Sequence, residues 1–176
     1  VIEDVAQAIG SDYLFSDGST KKAGSIGTIG CTSFFPSKNL GCYGDGGAIY
    51  TNDETLARKI KMICNHGQSV QYIHDSIGVN SRLDSIQAAV LNAKLPHLDA
   101  YCQARQNAAR KYTAAFEGHK NIIAPSICDI CDCHVFHQYT LRIIDGDRDA
   151  LMQHLLEKEI PCAIYYPIPL HSQKAY

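Results

Sequence analysis

This 176-residue sequence lacks several features that would announce a specialised class of protein. It has no excess of basic residues: 16 Lys plus Arg stand against 18 Asp plus Glu, a net charge of -2. That argues against a nucleic-acid or anionic-membrane partner, which selects a basic surface. It has no apolar run near the ~18 residues a membrane helix needs. The longest candidate, Cys162 to Leu170, is short and holds two prolines. The first ten residues, VIEDVAQAIG, have neither an initiating Met nor a positive leader region. No signal peptide is expected there, and the chain is expected not to start where its gene starts. Nothing repeats and nothing is of low complexity. What remains is a globular balance, 45% hydrophobic and 19% charged. The length suits one domain, or a domain with part of another, and is enough to bury a real core.

Eight cysteines could suggest a secreted disulfide framework, but their placement argues otherwise. Cys31, Cys42, Cys64, Cys102 and Cys162 sit singly in apolar or mixed segments, where a free thiol behaves as a small hydrophobe. A chain this long does not need staples, so a reducing, cytoplasmic setting is expected. Cys128, Cys131, Cys133 and His134 could supply metal ligands, but the spacing is cramped for a structural zinc site. A loop of reduced thiols is the plainer reading, and no metal is assigned.

The first third reads as short strands and turns. A strand end at Val1 to Glu3 precedes a helical turn over residues 4–8, and Thr32–Phe35 and Ala48–Tyr50 are β-rich. Between the latter two, four glycines fall in the seven positions from Gly41 to Gly47, a loop that needs unusual backbone angles or close approach. Thr51 to Glu54 has a capping-box pattern, with Leu56, Ile60 and Ile63 continuing an apolar stripe. A long helical region is predicted from Leu83 to Phe116, with a stripe of Leu83, Ile86, Val90, Leu91, Tyr101, Tyr112 and Phe116. Pro96 should kink or break it. Further on, Phe136–Ile144 and Cys162–Tyr166 read as strands, and Asp147 as the N-cap of a helix to about Glu159. The fold class expected is α/β. Residues 1–95 would form part of a large domain with a mixed sheet, 96–119 a connecting helix, and 120–176 a small α+β domain.

Asp4 follows a strand, and Gln7 lies one helical turn on. Ser33 and Lys38 flank the turn after the second strand, and Asn80 and Arg82 precede the long helix. Ligands of α/β folds sit at the carboxyl ends of strands. An acid, a hydroxyl and a lysine on such a frame suit pyridoxal phosphate, which needs a lysine for its aldehyde and a carboxylate for its ring nitrogen. By itself the triple is common. The glycine loop is no Walker motif, because no Gly-Lys-Ser/Thr follows it, nor does it have dinucleotide-fingerprint spacing.

Four ordered motifs, EDVAQAIG, TSFFPSKNLGCYGDGGAIYTND, GVNSRLDSIQAAVL and YYPIPLH, resemble those of the DegT/DnrJ/EryC1/StrS family. These are pyridoxal-phosphate-dependent aminotransferases of nucleotide-linked keto-sugars. The SKNLGCYGDGG stretch and HGQS with Tyr72 and His74 look closest to members that aminate a UDP-linked 3-keto sugar acid. The resemblance implies a fold-type I architecture and assigns roles. Lys38 matches the lysine that carries the cofactor, and Asp4 the acid facing its ring nitrogen. Gln7 lies near the ring, and Ser33 binds the phosphate. Asn80 reaches the phosphate in a neighbouring subunit's site, so a homodimer is implied. Arg82, Tyr165, Tyr166 and His171 match substrate-binding positions, and His66 and His74 are loop residues near the active site. The partners implied are a nucleotide-linked keto-sugar and an amino donor such as glutamate, in surface-polysaccharide or amino-sugar biosynthesis.

Family members are considerably longer, so the chain is expected to be a C-terminal piece. By resemblance it lacks the first part of the large domain, another phosphate-binding loop and an aromatic that stacks on the cofactor. The alternatives to an active aminotransferase are an inactive piece, a non-catalytic sensor and a metal module built on the cysteine loop. Lys38 together with Asp4 favours the enzyme, because a sensor does not need both. A dehydratase relative would carry His in place of Lys38.

Overall fold

A computed structural model describes residues 1–127 and 133–176. The chain divides into two compact units, Val1–Ala115 with Ser126–Tyr139, and Phe116–Pro125 with Thr140–Tyr176.

The first unit is built on a three-stranded sheet of β1 (Ile2–Asp4), β4 (Ile29–Ser33) and β5 (Gly47–Tyr50), in the order β1-β4-β5. β1 runs parallel to β4, with Asp4 opposite Cys31. β5 returns antiparallel, with Ser33 opposite Gly47. A parallel pair beside an antiparallel one makes the sheet mixed, as expected. The helical turn expected after β1 is a run of tight turns, followed by the hairpin β2 (Asp12–Leu14) and β3 (Thr20–Lys22). The segment after that hairpin lies against the sheet. Glu3 accepts from the backbone N–H groups of Gly24, Ile26 and Gly27.

Helix α1 (Glu54–Cys64) starts at Asp53, whose carboxylate accepts from Leu56 N at 3.0 Å. The cap is therefore Asp53 and not Thr51. Thr51 is already committed, since its hydroxyl donates to Thr28 O and accepts from Asp53 N. A second hairpin follows, β6 (Gln68–Val70) and β7 (Ile73–His74). The long helical region is broken at Pro96. α2 (Ser85–Lys94), capped by Asp84, passes through a 3-10 turn at Leu95–His97 into α3 (Leu98–Phe116). Its inner face departs from the expected stripe: Leu91, Leu98, Cys102 and Ala109 are buried, while Ile86 is 72% exposed and Tyr112 is also exposed. The core gathers Leu91, Leu98 and Cys102 with Phe34, Leu40, Cys42 and Val135, so the face that packs is the one above the loop after β4.

In the second unit, β8 (Ile122–Ile123) pairs antiparallel with β9 (Arg142–Ile143), and α4 (Arg148–Glu157) is capped by Asp147 as expected. The strand expected over Phe136–Ile144 shrinks to β9, and Cys162–Tyr166 forms no strand. β-rich composition makes a ladder only where a partner lies alongside. Cys31, Cys42, Cys64, Cys102 and Cys162 are free thiols. Cys133, by contrast, stands in a disulfide. Among the described residues no helix is long and apolar enough to cross a membrane.

Candidate active site around Lys38

Because β1 and β4 are parallel, Asp4 and Ser33 close the same carboxyl end of the sheet. Asp4 is opposite Cys31 and Ser33 is two residues further, so strand alternation puts both side chains on one face. Asp4 is exposed, and Oδ1 accepts from Ala6 N at 3.0 Å, leaving the rest of the carboxylate open. Gln7 is exposed in the turn that follows. The Ser33 hydroxyl accepts from Phe35 N at 3.2 Å and keeps its own hydrogen to donate.

Lys38 stands in the loop leaving β4. Its backbone N–H donates to Phe35 O at 2.9 Å, closing a tight turn just past the strand. The side chain is half-buried, and no described residue bonds its amine. The loop is closed at its base, where Phe34 N donates to Gly46 O and Cys42 N to Phe34 O, both at 2.8 Å. Cys42 is 1% exposed, and its thiol donates to the carbonyls of Phe34 and Gly44. Gly41 explains part of the glycine richness: a Cβ there would sit 2.5 Å from Pro36 O.

Helix α2 grips this loop from one face. Gln87 Oε1 accepts from Tyr43 N at 2.7 Å, the Lys94 ammonium donates to Gly41 O, and Leu91 packs between them. The spacing 87, 91 and 94 is one helix face. Lys94 also lies 5.8 Å from the centre of the Tyr43 ring. From the other side, buried Asn39 donates to Val135 O at 3.0 Å. None of these grips is marked by a local motif. The only readable signal is the polar pair, Gln87 and Lys94, on the face of Leu91.

Asn80 and Arg82 lie elsewhere. The Arg82 guanidinium donates to Asn80 Oδ1 at 3.0 Å, and both residues are exposed. They line a cleft of 890 Å³ with Cys31, the 45–51 segment and α1 residues Ala57, Ile60 and Lys61. Asp4, Gln7, Ser33 and Lys38 do not line it. His66 and His74 meet at the β6–β7 hairpin, His74 Nδ1 lying 2.8 Å from His66 O. Tyr165, Tyr166 and His171 belong to the second unit. There the two tyrosine rings are exposed and meet edge to face, 5.5 Å between centres, and His171 lies in the 3-10 turn Leu170–Ser172. Of the cysteine loop, residues 128–132 lie outside the described residues. Cys133 is held in its disulfide, and His134 Nδ1 accepts from Phe136 N, so neither offers a free ligand.

The chain belongs to the DegT/DnrJ/EryC1/StrS aminotransferase family, which it matches over residues 1–176. It is 46% identical over 178 residues to the pleiotropic regulatory protein of Geobacillus stearothermophilus, across 100% of this chain and 46% of that protein. It is 43% identical over 175 residues to UDP-2-acetamido-2-deoxy-3-oxo-D-glucuronate aminotransferase of Pseudomonas aeruginosa, across 99% of this chain and 46% of that enzyme. The crystal structure of a DegT DnrJ EryC1 StrS aminotransferase from Brucella abortus matches with a TM-score of 0.88 at 41% identity, over 99% of this chain and 44% of that one. The chain thus spans a little under half the length of the relatives it matches.

Proposed function

We propose that this chain carries the catalytic lysine of a pyridoxal-phosphate-dependent aminotransferase acting on a nucleotide-linked keto-sugar. The observation that carries the reading is the placing of Asp4, Ser33 and Lys38 at one end of β1 and β4, in a family of aminotransferases. The residues present fit the cofactor chemically. Asp4 keeps an open carboxylate oxygen for the ring nitrogen, the Ser33 hydroxyl has a hydrogen for a phosphate oxygen, and the Lys38 amine has no partner among the described residues. Gln7 would lie beside the ring. Bound there, pyridoxal phosphate supplies an electron sink for a carbanion next to nitrogen.

The chain's own residues do the rest. Asp4 holds a proton on the ring nitrogen. Lys38 moves a proton between two carbons as general base and then acid, for which its amine must be neutral. The rim of the loop, fixed by α2, keeps that amine over one place. Glutamate is the amino donor proposed, and a UDP-linked 3-keto sugar acid the substrate class favoured by the Pseudomonas aeruginosa relative. Arg82, Tyr165, Tyr166 and His171 are the substrate contacts proposed. Asn80, standing outside the Lys38 cluster, serves the site of a second copy in a homodimer. A cytoplasmic setting is proposed on the five free thiols, against which the Cys133 disulfide stands.

The test is borohydride trapping. The chain is mixed with pyridoxal phosphate, reduced and digested, and the adduct is mapped by mass spectrometry. A single adduct on Lys38 is the expected result, and Lys38→Ala abolishes transamination while the circular dichroism spectrum is kept. Normal turnover in that variant would sink the reading.

A further inference from the structure

The segment Cys133–Tyr139 runs beside the Lys38 loop as a strap tied at many points. Ser11 donates to Cys133 O at 2.7 Å, and Gln106 to His134 O at 3.2 Å. Asn39, the neighbour of Lys38, donates to Val135 O. Arg105 spans two carbonyls, donating to Phe136 O at 3.1 Å and His137 O at 3.2 Å. Tyr139 closes the strap against Thr113 at 2.8 Å. Phe136 sits at φ 44°, a left-handed conformation that a non-glycine residue keeps only where its surroundings over-determine it. So many ties on seven residues fix where the next side chain, His137, can stand.

The His137 ring presents an anomaly. Its Nδ1 is buried and has no hydrogen-bond partner among the described residues. Such an orphan is uncommon and calls for a reason. The titratable and charged groups around it are few. Arg105 is spent on the strap carbonyls, and His134 Nδ1 is spent on Phe136 N. The Lys38 loop is tied to the strap two residues before this ring, where Asn39 donates to Val135 O at 3.0 Å. Burial first, then the charges of Lys38 and Arg105, hold the imidazole below its ordinary range, so it is neutral near pH 7. A neutral ring keeps one nitrogen as an acceptor. Lys38 is the donor without a partner, and His137 Nδ1 is the acceptor without one.

We propose that His137 is a positioning residue for Lys38, presented by the strap, and that its Nδ1 accepts a hydrogen from the Lys38 amine. The contact turns the amine's remaining lone pair away from the strap. A lysine that must take a proton from carbon and return it needs that orientation held when it is free. The inference rests on the reading of Lys38 as the cofactor lysine and adds a residue to it.

Two measurements test it. In NMR spectra of the chain, the His137 ring titrates below 6.5, and Lys38→Met raises its midpoint. An unchanged midpoint overturns the pairing. The rate of borohydride-trapped adduct formation at Lys38 is then followed with pyridoxal phosphate alone. His137→Phe, which keeps a ring but no acceptor, slows it by about tenfold or more, and His137→Gln, which keeps an acceptor, stays within about threefold. A native rate in His137→Phe overturns the positioning role and leaves the cofactor reading standing. No Lys38 adduct in the unsubstituted chain overturns the cofactor reading, and the positioning role falls with it.

Discussion

Glu3 shows how much one side chain can organise beneath the site. Asp4 beside it points to the open face, while Glu3 turns to the covered one and gathers three backbone N–H groups, from Gly24, Ile26 and Gly27. Those hydrogen bonds, the one from Gly27 foremost, hold its carboxyl below the ordinary 4.5. The sign of the linkage follows. A carboxyl lowered in the folded state adds stability above its unfolded value and loses it as pH falls through the folded one. The expected outcome is that part of the native chain's loss of Tm below about pH 4.5 comes from Glu3, so that Glu3→Gln shows a flatter acid limb. Thermal melts by circular dichroism from pH 7 to pH 3 check it. Parallel acid limbs in the two proteins would remove Glu3 from the account.

At the scale of elements, two close approaches position Lys38: sheet against cover, and helix against loop. Gly30 of β4 lies directly under Gly24, and a Cβ would run into the Gly24 backbone. Gly30→Ala therefore costs about 1–3 kcal/mol, since backbone cannot move aside as a flexible side chain would. Gly118 meets nothing within 4 Å, and only its φ of 72° opposes a side chain, so Gly118→Ala costs about 1 kcal/mol. Urea titration of the two variants gives the comparison, and equal losses would refute the close approach. On the helix side, Gln87→Ala frees the Tyr43 N–H, whose hydrogen exchange then quickens while that of the α1 amides does not. Protection at Tyr43 unchanged from native would show that Leu91 and Lys94 suffice. These elements also mark what the sequence could tell. The Lys38 loop, the break at Pro96 and the Asp147 cap were legible because each is a local pattern. The grips on the loop were not, because they join residues 44, 53 and 96 positions apart, for Gln87, Lys94 and Asn39 in turn. The cap of α1 was misplaced by two residues for a related reason. Thr51 and Asp53 are both good caps, and the long-range bond to Thr28 O decides between them.

For the molecule as a whole, the question is what meets the β6–β7 hairpin. Val70, Tyr72, Ile73, Ile77 and Val79 are each more than half exposed on this stretch, and Ile77 is 97% exposed. Leaving five large apolar groups in water forgoes roughly 1.5–3 kcal/mol for each that could be fully buried. Asn80 and Arg82 follow directly on that stretch. In the homodimer proposed above, the same contact that covers the hairpin would deliver Asn80 to the second copy's Lys38. Ile77→Asp is then expected to shift the protein toward a monomer in light scattering, and the single chain's own core is untouched, since Ile77 is almost wholly exposed in it. Complementation probes the sharing of sites more directly. Lys38→Ala and Asn80→Ala proteins are each expected to be impaired in transamination. Mixed after dissociation, half of their dimers are hybrids, and each hybrid holds one site with both residues intact. The mixture should therefore regain about a quarter of the native rate. If Asn80 acted in its own chain's site, every site in every hybrid would lack one residue, and mixing would restore nothing.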